Sequence, residues 1–187
     1  MVSATYLSVV LIDVYATARD ATVADVSVAG DGLARVELLA TDERIGADGV
    51  HRRLLSFEAL GQGRSEAITI TAGEGQTLSS LGVAVTEYAH RTAAVQTMAT
   101  GGDGPNSTAE VVLEDPQGPN GAAHLAVLTD IGTAPSAVDG AEVLHTEAGA
   151  DPTTGFAILW AAASTSPAAG LPPTTGRWSA IASEIGT

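Results

Sequence analysis

Cysteine is absent from this 187-residue chain, and so is lysine. Without cysteine there is no disulfide and no thiolate metal site, so stability has to come from a packed interior. Aromatic residues are scarce, at 4%, which leaves little from which to build a stacking platform for sugars or bases. The interior must be made of Val, Leu, Ile and Ala, which supply few large anchors. Long apolar runs are missing too. The stretch from Leu7 to Ile12 is broken at Asp13 and is far too short for a membrane helix, so no membrane insertion is expected. No basic segment precedes that run, and no secretory signal is expected.

All eight basic residues are arginine, against 22 acidic residues, for a net charge of −14. Such a surface repels phosphate backbones and anionic lipid headgroups, so nucleic acid is not an expected partner. Two causes produce this composition. A GC-rich genome trades lysine codons for arginine codons. A salt-loving (halophilic) source tolerates acidic surfaces because screening removes their self-repulsion. Charged residues make up only 16% of the chain, and both causes stay open.

What the chain does have is rhythm. Short apolar stretches alternate with small polar residues and are cut by turns such as Gly30-Asp31-Gly32, Gly46-Ala47-Asp48-Gly49 and Gly73-Glu74-Gly75. Strands are expected at residues 6–16, 23–28, 33–41, 51–60, 67–71, 78–88, 94–99, 109–114, 122–129, 141–146, 155–163 and 178–185. Residues 83–97 are rich in alanine, but Val83, Val85, Thr86 and Tyr88 favour a strand. A short helical turn fits residues 132–138, limited by Pro135. Residues 101–106 and 164–176 read as surface loops, the second held extended by Pro167, Pro172 and Pro173. No repeat of fixed period and no splitting linker is visible. The expectation is one all-β domain over residues 1–187: an antiparallel β-sandwich of Ig-like or jelly-roll type, with about 10–12 strands.

Several segments in order carry a resemblance. They are an opening strand over residues 7–16, Val23-Ala-Asp-Val26, residues 32–39, Arg53-Leu-Leu-Ser-Phe-Glu-Ala59, Ile68-Thr-Ile-Thr71, Val85-Thr-Glu-Tyr-Ala-His90 and the closing Arg177-Trp-Ser-Ala-Ile-Ala-Ser-Glu-Ile185. This order resembles a β-sandwich domain common in tailed-virus virion proteins and in secreted or surface proteins of bacteria and archaea. The chain departs from that pattern at Ala34-Arg35 and at Ala89-His90. The resemblance implies a structural role and carries no catalytic residues.

The residues themselves agree. His51, His90, His124 and His145 are scattered without metal-ligand spacing and read as surface polar groups. There is no Gly-x-Ser-x-Gly motif, and the Gly-rich 101–106 segment lacks the lysine of a phosphate loop. Asp103 and Asn106 offer a weak calcium pair, while Asp48, Asp139 and Asp151 read as turn caps. Glu37, Glu43, Glu58, Glu66 and Glu87 supply carboxylates for glycoside hydrolysis only if a cleft brings them together. Trp160 and Trp178 read as core, and Asn106-Ser107-Thr108 as a chance glycosylation sequon. No catalytic, cofactor-binding or metal residue is assigned, and no cofactor is expected.

The reading is therefore a non-enzymatic virion protein of a tailed bacterial or archaeal virus, a capsid-surface decoration, turret or tail component. Its expected partners are further copies of itself, forming a cyclic homo-oligomer (a ring of three, five or six copies rather than a dimer) through Ala/Val/Leu surfaces and the 164–176 loop, and other virion proteins. Three other classes compete: a carbohydrate- or receptor-binding module at the cell surface, facing a host glycan or receptor, a glycan-active enzyme on the same scaffold, and a secreted, extracellular host surface domain, which would carry a signal peptide. An exposed aromatic patch would mark the first, and converging carboxylates the second.

Overall fold

A computed structural model of the chain describes residues 2–3, 8–19, 22–23, 25–62, 65–91, 93–104, 108–114, 121–138, 140–150, 152–162 and 166–186. It is all β, and no helix occurs among the described residues. The strands are β1 (Val2–Ser3), β2 (Ser8–Arg19), β3 (Val26–Ala29), β4 (Leu33–Ile45), β5 (Val50–Gly61), β6 (Ser65–Glu66), β7 (Thr69–Ala72) and β8 (Ser80–Ala89), followed by β9 (Ala94–Asp103), β10 (Thr108–Glu110), β11 (Ala122–Thr129), β12 (Ser136–Ala137), β13 (Ala141–Ala150), β14 (Thr153–Ala162), β15 (Ala168–Gly170) and β16 (Arg177–Ile185). Every expected strand has a counterpart. The additional ones, β1, β6, β12 and β15, are ladders of two or three residues, too short to leave a periodic signal.

Two antiparallel sheets dominate, with strand orders β4-β5-β2-β8 and β13-β14-β11-β16-β9. Their side chains alternate between two destinations. On β2, Val10, Ile12, Val14 and Ala16 pack outward against Val26 and Val28 of the β3–β7 pair. Val9, Leu11 and Tyr15 point the other way, onto the second sheet. On β11, Ala126 and Leu128 face the first sheet, while Leu125 and Val127 face a small outer sheet, β10-β15-β12. The molecule is thus four layers deep, with the two main sheets inside. This explains why β2 from Ser8 to Ala18, and β11 throughout, are buried on both faces. Their sequences run nearly continuously apolar, as doubly covered strands do.

The two halves follow the same route. In the second half β9 pairs with β16, β10 with β15 and β11 with β14, a nested set in which the first strand meets the last. That nesting is the winding of a jelly roll, here with β13 added to the sheet of β14. In the first half β1 pairs with β6, β2 with β5, β4 with β5 and β8 with β2. The β3–β7 pair takes the place of β12–β15. The repeat is one of topology, without a fixed sequence period.

Several local expectations are corrected. Residues 101–103 are not a loop but the end of β9. The glycines there permit close approach: a Cβ on Gly102 would lie 2.6 Å from the Trp178 indole nitrogen, and one on Gly101 2.5 Å from Arg44 Nε. The segment from Ser166 to Gly176 is not a surface loop. It holds β15, and Ala169 and Leu171 lie in the core beside Trp178. Its exposed residues, among those described, are Pro173 and Thr174. The strand expected over 109–114 closes at Glu110, because the next partner, Pro167, has no N–H to return to the ladder. Val111 N–H still donates to Pro167 O at 3.1 Å, and Val111 and Leu113 stay buried. Around 132–138 the chain bends into β12 instead of turning helically.

Phe156 on β14 is 0% exposed and packs against the Tyr15 ring, with centroids 5.2 Å apart. Replacing it by alanine is expected to cost about 3–5 kcal/mol in chemical denaturation. Val112→Ala, at a side chain facing solvent, should change stability by less than about 0.5 kcal/mol.

Candidate functional site

The chemistry-bearing side chains gather in the seam between the two main sheets. Asp13 on β2 and His124 on β11 point toward each other across it, 0% and 1% exposed. His124 Nε2 lies 2.6 Å from Asp13 Oδ2, and His124 Nδ1 lies 2.9 Å from the Tyr88 hydroxyl on β8. Burial, and after it the Asp13 charge, hold the Tyr88 phenol well above its ordinary pKa. His124 thus bridges Asp13 and Tyr88, with one ring nitrogen bonded to each. Asp13 Oδ1 and the Oγ of Ser56, its register partner on β5, are buried without a hydrogen-bond partner. Ser183, opposite His124 on β16, is joined to Thr97 at 2.9 Å.

Further polar bridges close the seam toward one end. Arg52 on β5 is 2% exposed. Its guanidinium donates to Asp48 Oδ1 and Oδ2 at 2.9 and 2.6 Å, and to Thr153 O on β14 at 2.8 Å. The Tyr15 hydroxyl donates to Glu147 Oε1 on β13 at 2.7 Å. Gly82 on β8 leaves room for that ring, since a Cβ there would lie 2.1 Å from it. Ser179 on β16 donates to Asp42 on β4 at 2.6 Å, and Asp42 also holds Arg44. Burial pushes the Tyr15 phenol upward, aided by the hydrogen bond to Glu147. The hydrogen bond from Arg52 holds the Asp48 carboxyl below the usual range.

The four histidines do not converge. His51 bonds Glu43 at 3.0 Å across β4 and β5. His90 is exposed, with a left-handed backbone at φ 62°. His145 lies at a register shift in β13, its ring against Phe156. His124 corrects the surface expectation: it is sealed inside. No group of three or more His, Asp or Glu side chains suited to a metal occurs among the described residues. Asp103 pairs with Arg177 at 3.0 Å, while Asn106 and its sequon partner Ser107, Asp139 and Asp151 lie outside the described residues. Asp48 does cap its turn, accepting from Val50 N–H at 3.1 Å.

Among the carboxylates, register brings Glu37 opposite Glu58. Glu58 is occupied by the Ala94 amide, Glu43 by His51, and the Glu66 side chain is outside the description. Trp178 is core, and Trp160 is half-buried against Val9 and Leu11. Sequence reasoning missed Asp13, Tyr88 and Arg52 as site residues. The signal for Asp13 was its place in an apolar run, where a fully buried acid requires a partner.

No protein-family model, no curated protein and no solved structure matches this chain. The seam is closed to solvent at Asp13 and His124, and its hydrogen bonds tie the layers together, with Asp13 Oδ1 and Ser56 Oγ left without a partner.

Removing one member of a buried pair strands the other, at a cost of about 3–5 kcal/mol. His124→Ala and Asp13→Ala should each lose about that much in denaturant melts, and the double variant should lose less than their sum. His90→Ala, at an exposed position, should stay within about 0.5 kcal/mol of the parent. Asp48 has a lowered folded-state pKa, so its contribution is present above the unfolded-state carboxylate value and is lost as pH falls through the folded one. Thermal melts should therefore drop below about pH 4, and Asp48→Asn should make that drop shallower.

Proposed function

We propose that this chain is a structural protein of a tailed-virus particle, at the capsid surface or in the tail, working through protein–protein contacts. The observation that carries this reading is where the reactive side chains are spent. Asp13, His124, Tyr88, Arg52 and Glu147 all tie sheet to sheet. What the molecule offers its surroundings is strand edges and an acidic surface. The order of strand motifs that resembles virion sandwich domains supports the same reading.

A glycan platform is less well supported. Trp178, Phe57 and Phe156 are buried, and Tyr15 packs on Phe156 with its hydroxyl bonded to Glu147. A glycan-active enzyme is less well supported too, since Glu37 and Glu58 share one sheet surface and Glu58 is engaged by a backbone amide. Homo-oligomeric assembly and a halophilic source belong to the proposal.

Antibody raised against the recombinant chain is expected to label intact, purified virus particles in electron micrographs. Labelling confined to uninfected cell envelopes would point to the surface-module reading. Release of reducing sugar from a glycan panel by the pure protein would point to the enzyme.

A further inference from the structure

Four strands end the two main sheets: β4 and β8 in the first, β13 and β9 in the second. Of the exposed large hydrophobic residues, all but Val112 lie on these four strands. An open edge presents unpaired N–H and C=O groups to any passing strand, and proteins defend edges with bulges and charges. β4 is defended in this way. Its register slips twice, Arg35 sits at one slip in a left-handed conformation with φ 53°, and Glu37, Asp42, Glu43 and Arg44 line it. β13 slips between Val143 and His145 and carries Glu142 and Glu147. The β9–β16 register slips near Ala94, and β9 closes with Gly101-Gly102-Asp103.

β8 has none of this. Its ladder with β2 runs without a slip from Ser80 to Ala89, and it holds one charged residue, Glu87, and no proline. The topological repeat shows what belongs on its outer side. The counterpart of β8 is β16, and β16 is covered there by an antiparallel strand, β9. Among the described residues the first half has no such strand.

We propose that β8 is a dimerisation edge and that its occupant is β8 of a second copy, paired antiparallel about a two-fold axis through Val83. The sequence of β8 selects this register. With Val83 opposite its own mate, Leu81 of one copy faces Val85 of the other, continuing the apolar row that packs on the β3–β7 side. Leu81 is 41% exposed in the single chain, and the pairing covers it. Glu87 then falls opposite Ser79, so the two acidic residues avoid each other. Moving the axis to Ala84 would set Glu87 against Leu81, and moving it to Val85 would set Glu87 against Val83. Two four-stranded sheets become one of eight, with an isologous interface. The pairing stands on the edge geometry and does not rest on the virion reading. Because each copy carries −14, the dimer should tighten as salt shortens the screening length.

The chain has no cysteine, so a single introduced thiol reports its own neighbour. Directly opposed Cβ atoms lie about 4.5–5.5 Å apart in such a pair, close to disulfide reach. Val83→Cys under mild oxidation is expected to give a disulfide-linked dimer, whereas Val143→Cys on the β13 edge stays unlinked. In sedimentation at molar salt the parent should be a dimer. Leu81→Lys should raise its dissociation constant about tenfold or more while circular dichroism and melting temperature are retained. If Leu81→Lys fails to fold, the cross-linking pair decides alone. A parent that stays monomeric in both low and molar salt overturns the proposal. So does linking from residue 143 as readily as from residue 83, or a larger ring in which residue 83 stays unlinked.

Discussion

The structure depends on two sheets being covered on both faces. Each main sheet has a small outer sheet or strand pair behind it and the other main sheet in front. Strands β2 and β11 therefore have no solvent face at all. In a chain with so few aromatics, this depth is what makes a core of Val, Leu, Ile and Ala sufficient. Each small side chain contributes little, but on β11, and on β2 from Ser8 to Ala18, all of them are removed from water. The same depth fixes register, since a one-residue slip of β2 would exchange the row facing the β3–β7 pair for the row facing the seam.

A seam between two doubly covered sheets has a cost of its own, because any polar group placed there is out of reach of water. The seam answers most of this by pairing, while Asp13 Oδ1 and Ser56 Oγ stay without a partner. Asp13, His124 and Tyr88 form one connected chain from β2 to β11 and β8, and Arg52 spends its donors on Asp48 and on a carbonyl of the opposite sheet. These links have fixed partners and fixed geometry, whereas apolar contacts tolerate sliding. The seam polar groups therefore specify how the two halves sit on each other. Chemistry that would elsewhere suggest a reactive centre here serves alignment.

The halves also differ in one instructive way. Among the described residues, the second half completes its sheet with β9 and the first leaves β8 at the edge. A topological repeat with one position unfilled turns an interior strand position into an outward-facing one.

The sequence by itself determined the class of the fold and most of its strands. Turn residues and period-two alternation are local, and their consequences are local: the strands at 51–60, 122–129 and 178–185 appear almost where the pattern puts them. It also determined that Trp178 would be core and that Asp48 would cap a turn, since burial of an indole and an Asx turn follow from immediate neighbours. Only the tertiary structure decided the rest. Residues 101–103 looked like a loop because glycine has two uses, and only the position of Trp178 shows that close approach is the one that applies. The prolines near residue 170 looked like surface, and it took the second core to show that Pro167, Ala169 and Leu171 are interior while Pro173 stays exposed. His124 looked exposed because its partners, Asp13 and Tyr88, are 111 and 36 residues away. The four layers and the repeated winding were invisible for the same reason. Which strands pair is set by contacts between distant segments, and no window along the chain contains both partners.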